Sequence, residues 1–262
     1  MNNKNQISDK NESKKAMIFA AGLGTRLKPL TDKLPKALIP VAGKPMIEHL
    51  IKKLKTAGFT QIVINVHHFA DMIIDFLNSN NNFGVDIYIS NEQNQLLNTG
   101  GGIKHAARFL QGNMPFLVHN VDIISNVDLN DIYEKHCLRK PLATLLVGNR
   151  TTSRYLFFDK NQRLCGWQNI ATNELKWTDS QILQNECDKY AFGGIHVISP
   201  EIFNYFDNWN DKFSIIDFYL SQAQKICAYV PQNLRLIDIG KHESLMQAEN
   251  EFDNFDISNN NY

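Results

Sequence analysis

Residues 16–45 read AMIFAAGLGTRLKPLTDKLPKALIPVAGKP. The first five are short, apolar and β-compatible, and the run breaks at Gly22-Leu23-Gly24. A strand that ends in glycines lets backbone N–H groups approach a phosphate closely, because no Cβ stands in the way. Thr25 and Arg26 follow at once, and a guanidinium presents a planar fork of donors that fits phosphate oxygens. Lys36 stands ten residues beyond Arg26, between Pro35 and a second apolar run, 37–39. Two cations beside one glycine loop point to a polyphosphate ligand. The spacing is not G-x-x-x-x-G-K-[ST], so the loop is not a P-loop. Nor does it complete G-x-G-x-x-G, because Lys28-Pro29 replaces the helix-opening glycine.

Bulk properties narrow the frame. A chain of 262 residues suits one large α/β domain or two small ones. Lys+Arg and Asp+Glu both number 27, so no basic excess suggests nucleic acid, and no polybasic run suggests a membrane surface. The four cysteines, Cys137, Cys165, Cys187 and Cys227, lack C-x-x-C spacing and read as reduced structural thiols of a cytoplasmic protein. No apolar run approaches the roughly 20 residues of a membrane span. Residues 1–15 are polar, with no apolar core of a signal peptide, and are expected to be a disordered tail; 253–262 are expected to be another. No internal repeat or linker divides 16–252, which reads as one domain.

Along the chain, 45–57 has helical spacing at Met46, Ile47, Leu50, Ile51 and Leu54, with Pro45 suited to the first turn and Gly58 to the stop. Residues 61–66 read as a buried strand. His67 and His68 at its end could hold a metal or act as a base; the plainer reading is that they cap or pack against a helix at 70–78, with Met72, Ile73, Phe76 and Leu77 inward. A strand at 85–90 precedes NEQNQLLNTGGGIKHAARFL, in which Gly100-Gly101-Gly102 opens a helix with Ile103, Ala106, Ala107 and Leu110 inside. Glycines at a helix N-terminus allow close approach of a flat or anionic ligand. Residues 116–120 form a strand that delivers Asp122 to the edge where open α/β sheets bind ligands. The strand–helix alternation from 16 to 122 argues for such a sheet.

The second half is less regular. It reads as a helix at 128–137, a strand at 143–148, and a hairpin of 155–158 with 163–167. A polar stretch, 169–188, is expected to loop over the site. A strand at 190–198 is interrupted by Gly193-Gly194, a mark of close ligand approach or a bulge. Helices at 200–206 and 214–223 and a strand at 227–230 follow. The last strand, 234–239, carries Asp238 and ends at Gly240, before a closing helix at 242–251.

The run AAGLGTRLKPLTDKLPKALIPVAGKPM resembles the signature of the sugar-1-phosphate nucleotidylyltransferases, and the resemblance extends over about residues 16–250. It implies a Rossmann-like three-layer α/β sandwich with a mixed, mainly parallel sheet. It implies transfer of a nucleoside monophosphate from a nucleoside triphosphate to a sugar 1-phosphate, with release of pyrophosphate. The glycine loop (Ala21, Gly22, Gly24, Thr25) would wrap the triphosphate, Arg26 would hold the departing pyrophosphate, and Lys36 would neutralise the phosphates around the reacting phosphorus. The loop before the glycine run would read the base through backbone amides and a polar side chain, with Glu92, Gln93, Thr99, Gly100 and Asn120 as candidates. Asp122 and Asp238, in an Asn-x-Asp and an Asp-x-Gly step, would hold Mg²⁺. Asn120, Asn169 and Gly194 would contact the sugar. A phosphate nucleophile needs no catalytic base, which leaves the histidine pair without a chemical task. This chain has Val121 where the family often has glycine, and valine cannot take a positive φ cheaply.

The points NVHHFADMI, NTGGGI, PFLVHNVD, FGGIHVISP and LIDIGKHESL look most like the N-acetylmuramate-1-phosphate uridylyltransferases of cell-wall recycling, which favours UTP. They are shared in part with mannose- and heptose-1-phosphate guanylyltransferases. A phosphocholine cytidylyltransferase would need an aromatic cage, for which Tyr155, Trp167 and Trp177 are candidates. A catalytically silent nucleotide-binding relative would have lost one of the four charged residues, and all four are present. No fused C-terminal acyltransferase domain is expected, and the assembly is expected to be a monomer or small homo-oligomer.

Overall fold

The computed structural model describes residues 13–178 and 186–255. A ten-stranded mixed sheet forms its frame. Strand β1 (Lys14–Phe19) lies at the heart of that sheet. Successive side chains of a strand point to opposite faces. Ala16 and Ile18 therefore enter one core and Met17 another.

After the glycine loop, β2 (Pro40–Val41) and β3 (Lys44–Pro45) make a minimal hairpin. Helix α1 (Met46–Thr56) starts behind Pro45 and buries the five expected apolar residues. β4 (Phe59–Val66) pairs parallel with β1. Helix α2 (Ala70–Ser79) buries Ile73 and Leu77, but Met72 is 38% exposed, one position off the inward stripe predicted for it. β5 (Asp86–Asn91) pairs parallel with β4. Helix α3 (Asn98–His105) takes the three glycines into its first turns, and α4 (Ala107–Leu110) continues it after a break at Ala106. β6 (Phe116–Asn120) pairs parallel with the other side of β1. The resulting order, β5-β4-β1-β6, is a parallel block with its carboxyl ends on one edge.

β7 (Ile123–Ser125) follows directly, then α5 (Leu129–Arg139), whose cap Asp128 accepts from the amides of Asn130 and Asp131. β8 (Ala143–Gly148) precedes the hairpin of β9 (Arg154–Phe158) and β10 (Leu164–Asn169), to which β11 (Glu174–Trp177) adds. That strand lies in the stretch expected to be loop throughout; residues 179–185 of that stretch lie outside the described residues. β12 (Asp188–Ile198) runs antiparallel beside β6, and its two ends pair with β8 and β9. The expected helix at 200–206 is a 3₁₀ helix, Pro200–Asn208. Helix α6 (Ile215–Ser221) and β13 (Ile226–Tyr229), which pairs parallel with β8, complete the second half.

β14 (Leu236–Asp238) departs from expectation. It is not in the central sheet but pairs antiparallel with β7, as a two-stranded ribbon beside it. Helix α7 (His242–Glu251) closes the fold. Helices α1, α2, α5 and α7 bury their apolar faces against one side of the sheet, and α3, α4 and α6 against the other. That is the three-layer sandwich. The fold reaches slightly beyond 16–252, because β1 begins at Lys14 and Phe255 packs into the core. The remaining tail residues, 1–12 and 256–262, lie outside the described residues.

Candidate active site

A cleft of about 590 Å³ opens at the carboxyl ends of the parallel block, where Phe19 of β1, Asn65 of β4 and Asn120 of β6 border it. Ala21, Gly22, Gly24, Thr25, Arg26 and Lys36 form one wall. Gly24 has φ +63°, and a Cβ there would stand 2.7 Å from Thr31 Cγ2 and 3.2 Å from Lys36 Cβ. Glycine is thus required both by the backbone and by the close approach of Thr31. The Gly24 carbonyl is fixed by Leu27 N–H at 2.8 Å and Thr31 Oγ1 at 3.0 Å.

Lys36 is buried and donates to Asp122. Ile239 N–H donates to the Asp122 carbonyl at 2.8 Å, which locks the β14 ribbon to the end of β6. Asp238 is thereby brought beside Asp122 by a ribbon rather than by a strand of the main sheet. Asp238 Oδ1 is buried without a hydrogen-bond partner among the described residues. Burial, and then the Asp122 carboxylate, hold the Asp238 carboxyl above its ordinary pKa, against the opposing pull of Lys36, Arg150 and Arg26. A Cβ on Gly240 would meet Arg26 Nη2 at 2.7 Å and Asp238 Oδ1 at 3.0 Å, so the guanidinium lies over Gly240 beside that carboxylate. Two adjacent carboxylates, one with an orphaned buried oxygen, fit a hard cation. Among the described residues no cluster of three or more His, Cys, Asp or Glu could hold a metal. Mg²⁺ takes one or two carboxylates and completes its shell with phosphates and water, so a pair suffices.

Val121 causes no backbone difficulty. It is not among the positive-φ residues, its amide donates to Phe19 O at 3.1 Å, and its side chain is buried in the core.

The base-side loop is braced from within. Glu92 is 3% exposed and accepts from Asn65 Nδ2 at 2.8 Å and from Leu97 N–H at 3.1 Å. Asn65 Oδ1 in turn accepts from Ala20 N–H at 2.8 Å. This relay couples the glycine loop to the loop before α3. Glu92 borders the cleft, but both its oxygens already serve the protein. His67 Nδ1–H donates to the Glu92 carbonyl at 2.7 Å, bracing that loop rather than capping α2, and His68 is exposed, with its ring against that of its neighbour Phe69. Thr99 borders the cleft while its Oγ1 accepts from Ile215 N–H at 3.0 Å. Gly100 is placed differently from expectation. Its amide and that of Gly101 both donate to Phe213 O, and a Cβ on Gly100 would meet the Phe213 ring at 2.2 Å. Gly100 therefore seats α3 on the chain before α6 and does not border the cleft. Gln93 pairs with Asn91 on the surface.

On the sugar side, Gly193-Gly194 produces the bulge that the sequence suggests, with pairing to β8 slipping between Phe192 and His196. Gly194 has φ +70°, and a Cβ there would lie 2.9 Å from Asn120 Nδ2, so these two candidates touch. Asn169 ends β10, opposite Arg154 and Glu174, and is not among the residues that border the cleft. The candidate aromatic cage is also absent from the cleft: Lys176 covers the Trp167 ring, Lys189 covers that of Tyr155, and Trp177 packs on Phe157. Sequence reasoning missed Asn65 and Arg150. Asn65 stands in QIVINV as a polar residue inside a buried strand, a legible signal. Arg150 carries no such mark.

A profile of the nucleotidyl transferase family matches residues 15–157, from β1 to the hairpin strand β9. An N-acetylmuramate alpha-1-phosphate uridylyltransferase of Caulobacter vibrioides is 32% identical over 242 residues, covering 89% of this chain and 95% of that protein. A protein of the same name from Neisseria meningitidis is 46% identical over 120 residues, 46% of this chain and 52% of its own length. The crystal structure of HddC from Yersinia pseudotuberculosis complexed with GMP-PN superposes with a TM-score of 0.72 at 25% identity, covering 91% of this chain and 99% of that one. The matched residues include the glycine loop, Lys36 and Asp122, the same residues that border the cleft. Fold, cleft and sequence agree that the chain belongs to the nucleotidyl transferase family.

Proposed function

We propose that this nucleotidyltransferase joins UTP to N-acetylmuramate 1-phosphate, forming UDP-N-acetylmuramate and pyrophosphate, in the cytoplasmic recycling of cell wall. The observation that carries the chemistry is the orphaned Asp238 oxygen beside Asp122, with Lys36 and Arg26 against them. The substrate pair is supported by the near-full-length similarity to the Caulobacter vibrioides uridylyltransferase. Residues 14–255 act as one catalytic domain.

A phosphate oxygen of the sugar attacks the α-phosphorus in line. The bond from that phosphorus to the bridging oxygen breaks, and pyrophosphate leaves with the electron pair. Bringing two anions together is the main electrostatic obstacle, so catalysis rests on positioning and charge neutralisation. The glycine loop holds the triphosphate, Arg26 the leaving pyrophosphate, and Lys36 the reacting phosphates. Asp122 and Asp238 would hold Mg²⁺, which when bound would supply positive charge that offsets the negative charge of the substrates. Glu92 and Asn65 keep the two loops in register.

The test is pyrophosphate release from each of the four common ribonucleoside triphosphates against N-acetylmuramate, mannose, heptose and glucose 1-phosphates and phosphocholine. The fastest pair is expected to be UTP with N-acetylmuramate 1-phosphate. GTP with mannose or heptose 1-phosphate, or CTP with phosphocholine, as the best pair would replace the substrate assignment. No release from any pair would refute the reaction.

A further inference from the structure

Arg150 lies two residues beyond the end of β8. Its Nη2 donates to Phe192 O at 3.0 Å, the carbonyl that precedes the Gly193-Gly194 bulge. The bulge presses Gly194 against Asn120 and Ile123, the residues on either side of Val121-Asp122. Arg150 is therefore anchored to the β12 wall, on the far side of Asp122 from the glycine loop. Its Nε–H is buried and has no hydrogen-bond partner among the described residues. Buried donors are almost always satisfied, and an unsatisfied one in a native fold asks for an explanation. Its charge also reaches Asp238, alongside those of Lys36 and Arg26.

The other two cations have tasks. Lys36 is bonded to Asp122, and Arg26 lies over Gly240 next to the glycine loop. Both belong to the triphosphate wall. The reaction brings a second anion, the phosphate of the sugar, from the side of Asn120 and Gly194. Arg150 is the cation tied to that side. We infer that Arg150 binds the phosphate of the incoming sugar 1-phosphate through its guanidinium, whose Nε–H has no partner among the described residues, and holds it for attack on the α-phosphorus. This inference rests on the reaction assigned above. It adds a residue that no glycine-loop or carboxylate motif contains, and one whose planar donor fork suits a phosphate better than an ammonium does.

The test is steady-state kinetics of Arg150→Ala and Arg150→Lys with UTP and N-acetylmuramate 1-phosphate, or with whichever pair the screen finds fastest. In Arg150→Ala, KM for the sugar 1-phosphate is expected to rise roughly 30-fold, the scale of one charge-assisted hydrogen bond, with KM for the nucleotide changed by less than about threefold. Arg150→Lys keeps the charge without the fork and is expected to fall between Ala and wild type. An unchanged sugar-phosphate KM in both variants overturns the inference, and so does a parallel rise in both KM values. Wild-type turnover separates the two levels. An active wild type with unaffected variants sinks this inference alone, whereas a wild type inactive on every pair sinks the parent reading and this one with it.

Discussion

Asp238→Ala is expected to lower kcat by about a thousandfold while leaving the melting temperature unchanged or higher. The loss follows from removing a charge that acts on the transferring phosphoryl group, where single electrostatic groups are worth roughly 10²–10³ in rate. The stability effect has the opposite sign for a structural reason. The Asp238 carboxyl is buried, faces Asp122, and has an oxygen without a partner, and all three disfavour the folded, ionised form. Sites shaped for function commonly store such strain. Asp122→Ala should lower kcat to a similar degree but also destabilise, because it leaves the buried Lys36 ammonium without its partner. Turnover at saturating substrate and thermal melts of both variants check the pair. Near-normal rates in either variant would contradict the carboxylate assignment.

A second large effect is expected in acid. His119, His136 and His196 are buried and neutral. Burial lowers His119 and His196 to about 3 and His136 to about 4, from 6.5. Lys53 adds to the effect on His119, and His119 to that on His196, while the hydrogen bond to the Asn120 carbonyl opposes it at His119. In the unfolded chain the three rings protonate near pH 6.5, whereas in the folded protein they do so only near pH 3–4. The unfolded state therefore binds more protons across that window, and stability is lost as pH falls below 6.5. At pH 5 each ring costs about 2 kcal/mol and the three about 6. Small domains have on the order of 5–15 kcal/mol in total, so much of the stability should be gone. Urea unfolding at pH 7, 6 and 5 measures it, and His136→Gln should remove about a third of the pH dependence. A loss below about 2 kcal/mol between pH 7 and 5 would show that the rings take protons without unfolding.

Local pattern made the first half of the fold legible. The apolar run of β1, the Pro45 start of α1 and the strand-end position of Asp122 each announce themselves within a few residues. Asp238 could be named from its Asp-x-Gly step, but not its support. Its partner strand, Ile123–Ser125, is three residues long and lies directly behind Asp122, too short for a periodic signal. Gly100 shows the same limit from the other direction. Its glycine run suggested ligand approach, whereas the close neighbour is Phe213, more than a hundred residues away in sequence. Arg150 stands in a polar loop without spacing to anything, and its bond to Phe192, which ties it to β12, is long-range. Residue types thus revealed which groups carry charge; the long-range packing of β12 and β14 decided which of them meet.

Asp122 and Asp238 are together expected to hold a divalent cation between the two phosphate substrates. Crystals grown with Mn²⁺ and α,β-methylene-UTP test it most directly, by anomalous scattering. The expected result is one strong peak about 2.1 Å from an oxygen of each carboxylate and from an α-phosphate oxygen. A peak that touches neither aspartate, with the analogue bound in the cleft, would contradict it.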